Sequence, residues 1–168
     1  MLAMMENGIA HIAAHTNLDC APGGVNDTLM SLMGAKSVRG EGFVRIGDLD
    51  DGMTFGDLCE RAQKKLHAPV RAYGAADTPV GTLGCCSGAG SGELYEAKAL
   101  GADCFITGEV KHDRALDAMD MGLCLIEAGH FETENPVCEV LATALQKACD
   151  ELKYNVTVFC SQGNPFGR

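Results

Sequence analysis

The stretch GADCFITGEVKHDRALDAMDMGLCLIEA, residues 101–128, decides the fold. The apolar runs Ala102–Thr107 and Leu123–Ala128 are too short for helices, while Lys111–Met121 between them reads as a helix closed by Gly122. A strand, a helix and a second strand in this order make a parallel crossover unit. The same alternation extends in both directions. Further strands are expected at Gly8–Ala14, Ser37–Ile46, Val70–Gly74, Val80–Cys86 and Asn155–Cys160. Val25, Leu29, Leu32 and Met33 recur at helical spacing, as do Leu58, Ala62 and Leu66. Thr54 with Asp57 three residues on is the signature of a capping box opening the second of these helices. Another helix is expected over Glu93–Leu100. The longest is expected over Asn135–Leu152, with Pro136 in its first turn and Val137, Val140, Leu141, Ala144, Leu145 and Ala148 on one face. The fold class is therefore α/β, a mainly parallel or mixed sheet with helical crossovers.

The composition narrows the function. With 168 residues, 46% of them hydrophobic, the chain can bury one sizeable core or two interdependent lobes. Thirteen Lys and Arg against 23 Asp and Glu leave a net charge of −10, which repels a polyanion, so nucleic acid is not an expected partner. No apolar run approaches the roughly 20 residues that cross a bilayer, and Met1–Glu6 lacks the pattern of a secretory signal. A cytoplasmic protein without a membrane partner is expected. Nine cysteines with no CxxC spacing suggest neither a disulfide framework nor a thiolate zinc knuckle; most read as small core residues, and Cys85-Cys86 beside a glycine loop is the one place where thiol chemistry competes with packing.

Two strand-end corners share one grammar. His15-Thr-Asn-Leu-Asp19 follows the first expected strand, and Gly129-His130-Phe-Glu-Thr-Glu134 follows Leu123–Ala128. Each pairs an imidazole with a carboxylate four positions on, at the end of a strand where open α/β sheets build their sites. Capping or hydrogen bonding explains either corner alone. Convergence of the two would supply donors suited to zinc, manganese or iron. A third feature, Ser87-Gly-Ala-Gly-Ser-Gly92, lies between a strand and a helix, where backbone amides approach an anion; a tight turn without ligand is its plainer reading. Gly88, Gly90, Ser91 and Gly92 are its anion-binding candidates. Thr107–Asp113 is a fourth strand-end segment, rich in ionisable groups and able to face a polar substrate or to open a solvated helix. His11 and His67 read as structural.

Taken together, Ala14–Asp27, Ser87–Gly92, Gly101–His112 and Ala128–Glu134, with the closing Asn164-Pro-Phe166, resemble the Nif-three-like family of dinuclear metal-centre proteins, homologues of type 2 GTP cyclohydrolase I. The resemblance implies metal contact by Asp19, His130 and Glu134, with Glu134 bridging two ions, and His15 beside the site as a catalytic, proton-handling group. It implies a hexamer, a small-molecule substrate such as a nucleotide, and metal-assisted hydrolysis by an acidified water. It also implies a metal-site lobe made of residues 1–36 and 129–168, with residues 37–128 inserted as a second lobe. The crowding of Gly and Asp between Gly34 and Met53 suits a passage between lobes.

Two departures qualify the resemblance. Members carry an adjacent His-His pair in an initial segment, and this sequence has no adjacent histidines; members also usually have histidine where Asp113 stands. A preceding segment is therefore expected, its absence leaving Gly8–Ala14 at a sheet edge. A metal-binding or oligomeric scaffold without turnover is the alternative function.

Overall fold

The computed structural model describes residues 2–161 and 163. Short helices α1 (Leu2–Glu6) and α2 (Thr16–Asp19) precede α3 (Val25–Leu32). Strands β1 (Lys36–Arg39) and β2 (Arg45–Asp48) lead to α4 (Phe55–Leu66) and β3 (Arg71–Tyr73). Then follow β4 (Thr82–Cys86), a 3-10 turn (Gly90–Glu93), α5 (Leu94–Ala99), β5 (Cys104–Thr107), α6 (His112–Asp120) and β6 (Cys124–Glu127). Helices α7 (His130–Glu134) and α8 (Val137–Glu151) complete the order.

The strands form one mixed sheet in the order β1-β2-β4-β5-β6-β3. At its centre β4, β5 and β6 run parallel, Cys86 beside Thr107 and Thr107 beside Glu127. The outer pairs β1–β2, β2–β4 and β3–β6 are antiparallel. Side chains on these strands alternate between two cores, as the two-residue repeat requires. Leu83, Cys85, Cys104, Ile106, Cys124 and Ile126 face α3 and α4, meeting Leu29, Met30, Phe55 and Leu58. Cys86, Phe105 and Leu125 face the other way, against Leu94, Ala97, Ala115 and Ala118 of α5 and α6. Helix α4 begins with the expected capping box: the Asp57 N–H donates to Thr54 Oγ1 (3.2 Å) and the Thr54 N–H to Asp57 Oδ2 (3.1 Å).

Three expected strands differ. Ser37–Ile46 is not one strand but most of a hairpin, because Gly40 and Gly42 take positive φ (124° and 71°) and turn the chain between β1 and β2. Gly8–Ala14 forms no strand; it is exposed throughout and no described strand pairs with it, so its β-prone residues have no ladder to join. Asn155–Cys160 also lies outside the sheet. There the Gln146 side chain takes the place of a neighbouring strand, donating to Val156 O (3.2 Å) and accepting from Val158 N–H (2.9 Å). Helix α8 forms as expected and packs against α3, yet of its apolar face only Val137 is buried, with Val140, Leu141 and Leu145 exposed. Asn164–Phe166 falls outside the described residues.

Candidate metal centre

The carboxyl ends of β4, β5 and β6 lie side by side, so the segments leaving them share one edge of the sheet. From β6 the chain passes through Gly129, whose φ of 88° turns it into α7 with His130 as first residue. One helical turn later Glu134 Oε1 stands 3.1 Å from His130 Nε2. After β5, Glu109 Oε1 accepts from His130 Nδ1–H at 2.7 Å, leaving Nε2 toward Glu134. Burial favours the neutral imidazole. The Glu109 hydrogen bond and the charges of Glu134 and Glu109 outweigh it and hold His130 above its ordinary pKa.

The loop after β4 passes close to this pair. Gly88 has φ 60°, and a Cβ there would stand 2.4 Å from Glu134 Oε1 and 3.1 Å from His130 Nε2. Its N–H donates to Thr133 Oγ1 (3.1 Å), stitching the loop to α7. The Ser87 N–H donates to Oδ1 of fully buried Asn26 (2.8 Å). Asn26 Nδ2 in turn donates to Asp19 O (3.2 Å) and Phe43 O (2.8 Å). Arg45, itself buried, reinforces the same junction, donating from Nε to Asp27 Oδ1 (2.6 Å) and from its guanidinium to Cys20 O (2.7 Å). Asp19 is thereby carried to the loop after β4 although no strand delivers it.

The result is a cleft of about 230 Å³ lined by both corners, His15 with Asp19 and His130 with Glu134, together with Cys86, Phe43 and Glu93. The Cys86 thiol reports the gathering of acids. Burial, then the charges of Glu93, Asp19 and Glu134, push it up to about 12. Cys85, wholly buried, is raised as well, so both members of the pair are packed thiols rather than nucleophiles. His15 is exposed, its Nδ1 3.3 Å from Thr16 Oγ1. Ala89 and Gly90 also line the cleft, while Gly90 and Ser91 are buried and Gly92 is exposed. The amides of Ser87 and Gly88 are already committed to Asn26 and Thr133. On the far side of the His130 ring, Glu109 borders a second hollow of about 490 Å³ with Arg71 and Glu127.

The donor types suit a divalent cation: imidazole and carboxylates, with no Lys or Arg among the described residues lining the cleft. Their spacing does not enclose one, since among the described residues no three His, Cys, Asp or Glu converge closely enough to hold an ion. Glu93, Glu109 and Asn26 were not singled out in the sequence. Glu109 lies in the ionisable segment 107–113, but only the parallel pairing of β5 and β6 reveals that it meets His130.

Comparison with known proteins identifies the family and the fold. The family model for Duf34/NIF3 (NGG1p interacting factor 3) matches residues 1–165. A Clostridium acetobutylicum protein named GTP cyclohydrolase 1 type 2 homolog is 30% identical over 175 residues, covering 98% of this chain and 65% of the relative. A second protein of that name, from Streptomyces coelicolor, is 29% identical, with 95% and 61% covered. The chain thus spans less than two thirds of the length of these curated relatives. Staphylococcus aureus protein SA1388 superposes with a TM-score of 0.89 at 27% identity, covering 96% of this chain and 69% of that one. Among the described residues no helix is long and apolar enough to cross a membrane. With the family pattern running over nearly all of the sequence and the same architecture in a solved relative, the chain belongs to the Duf34/NIF3 (NGG1p interacting factor 3) family.

Proposed function

We propose that the cleft binds a divalent metal, zinc, iron or manganese, and that the protein is a metal-dependent hydrolase of the type 2 GTP cyclohydrolase I kind acting on a small molecule such as a nucleotide. One observation carries this reading: Asp19, Glu93 and Glu134 line a single cleft with two imidazoles and no described Lys or Arg. Such a site repels an anionic substrate until a cation neutralises it. Asp19, His130 and Glu134, which line the cleft without enclosing an ion as they stand, would have to close on it, and the ion when bound would supply Lewis acidity and an acidified water. Glu109 orients His130 through Nδ1. His15, exposed at the rim, is the proton-handling group. The loop of Gly88, Gly90, Ser91 and Gly92 is the wall for a substrate anion. Residues 1–36 and 129–168 act as the metal-site lobe against an inserted 37–128 lobe. Assembly to a hexamer in the cytoplasm belongs to the same proposal, supported by the exposed apolar residues of α8. Metal analysis after reconstitution tests the core of it: a retained ion that Glu134→Ala releases supports the reading, and an ion-free protein at neutral pH removes it.

A second reading is a metal-binding or oligomeric scaffold without turnover, and the exposed Val140, Leu141 and Leu145 of α8 favour its assembly half. Incubation of the metal-loaded protein with GTP separates the two. Loss of the nucleotide supports the hydrolase; an unchanged nucleotide across zinc, iron and manganese supports the scaffold.

A further inference from the structure

We propose that Cys138 and Cys160 form a redox-active dithiol that is oxidised to an intramolecular disulfide by low-molecular-weight disulfides. The two cysteines line one small cleft although they are far apart in sequence. Cys138 lies in the first turn of α8, and the chain leaves that helix at Leu152, turns through Lys153 at φ 59°, and returns along it as an extended run. Gln146 fixes the register of the return by its hydrogen bonds to Val156 and Val158. From Gln146 back to Cys138 the helix covers about 12 Å at ~1.5 Å per residue. From Thr157 to Cys160 the extended run covers about 10 Å at ~3.4 Å per residue. The two paths end together: Cys138, Glu139 and Cys160 line one small cleft of about 150 Å³.

Exposure sets the order of events. Cys138 is exposed and Cys160 half-buried, whereas Cys59, Cys85, Cys86, Cys104 and Cys124 are buried. Burial, followed by the Glu139 charge, holds the Cys160 thiol above its ordinary pKa, which suits a second, resolving group. The Cys138 thiolate attacks one sulfur of the small disulfide, forming a mixed disulfide and expelling one small thiolate, which takes up a proton. Cys160 then gives up its proton, its sulfur attacks the Cys138 sulfur, and the second small thiolate leaves and is protonated. The protein loses two electrons and the small disulfide gains them. The bond formed would tie the return segment to the start of α8, where Gln146 already clamps its middle.

The test uses the full reduced chain and oxidised glutathione, followed by alkylation of the remaining thiols and tryptic mass spectrometry without reduction. Cleavage at Lys147 and Lys153 puts Cys138, Cys149 and Cys160 on separate peptides. The expected result is a linked Cys138–Cys160 pair, with alkylation at both sites down about tenfold and at Cys20 and Cys149 changed less than about twofold. Cys160→Ser should instead accumulate glutathione on Cys138, with circular dichroism confirming its fold and Cys160→Ala replacing it if it does not fold. Full alkylation of both cysteines after oxidation, stable glutathione on Cys138 of the unaltered chain, or links between Cys138 of two copies would each overturn the proposal.

Discussion

The side chain of Asn26 accepts the Ser87 N–H at 2.8 Å across 61 positions of sequence, and through the same amide it holds Asp19 and Phe43 by their carbonyls. It is fully buried, as is its bond to the Ser87 N–H, while its bonds to the two carbonyls are part-buried, so its loss strands the Ser87 amide first. Asn26→Ala should therefore cost about 2 kcal/mol, the penalty of stranded buried donors and acceptors. It should also weaken zinc binding, because the wall bearing Asp19 is no longer fixed to the loop beside Glu134. Urea unfolding and a chelator competition assay measure the two effects.

Gly88 is required twice, by its φ of 60° and by the Glu134 oxygen that a Cβ would meet at 2.4 Å. Gly88→Ala should cost about 1–2 kcal/mol in backbone strain and displace the Glu134 carboxylate, reducing metal affinity by at least about tenfold. Gly81→Ala, outside the cleft, is the control, since a Cβ there meets only Asp103 Oδ2 at an ordinary 3.6 Å and its φ is not positive. Affinity and stability of that variant should stay at the parent values.

The Glu109 side chain acts on the site through His130 Nδ1. Glu109→Ala should lower zinc affinity about 10- to 100-fold by freeing the ring. Glu109→Gln, which keeps an acceptor oxygen, should recover part of the loss. Equal affinity in all three proteins, measured by competition with a chromophoric chelator, would show that the ring needs no such support.

Thr54 and Asp57 give a pH-dependent contribution to stability. The Thr54 hydroxyl, and then its backbone N–H, hold the Asp57 carboxyl below its ordinary value of 3.8. A carboxyl depressed by folding stabilises the native state above its unfolded pKa, and that contribution disappears as pH falls through the lower folded value. Asp57→Asn should accordingly flatten the acid limb of the stability curve below about pH 4. Thr54→Ala should cost about 1 kcal/mol at neutral pH. Urea midpoints across a pH series read both outcomes.

Local pattern carried much of the fold. The crossover unit of residues 101–128, the Thr54–Asp57 cap and the long α8 all depend on neighbours within a few positions, and all formed. What depended on distant partners was less visible. Gly8–Ala14 and Asn155–Cys160 have the residue types of strands, but pairing is a property of what lies alongside, and neither joins the sheet. The two His-acid corners were legible as chemistry, and the cleft does bring them together. Their supports were not. Glu109 reaches His130 only because β5 and β6 are parallel and in register, and Asn26 looks in sequence like any polar residue near a helix start. The cleft shared by Cys138 and Cys160 was equally hidden, because the return of the chain along α8 sets it.

The cleft draws its walls from three stretches, residues 15–19, 86–93 and 130–134, which meet only across the aligned β4–β5–β6 ends. Such non-local closure comes late when a chain folds, after the slow search that brings parallel strands together. A ligand of this site would therefore arrive at a finished architecture. It would slow the escape from that state while leaving the rate of reaching it unchanged.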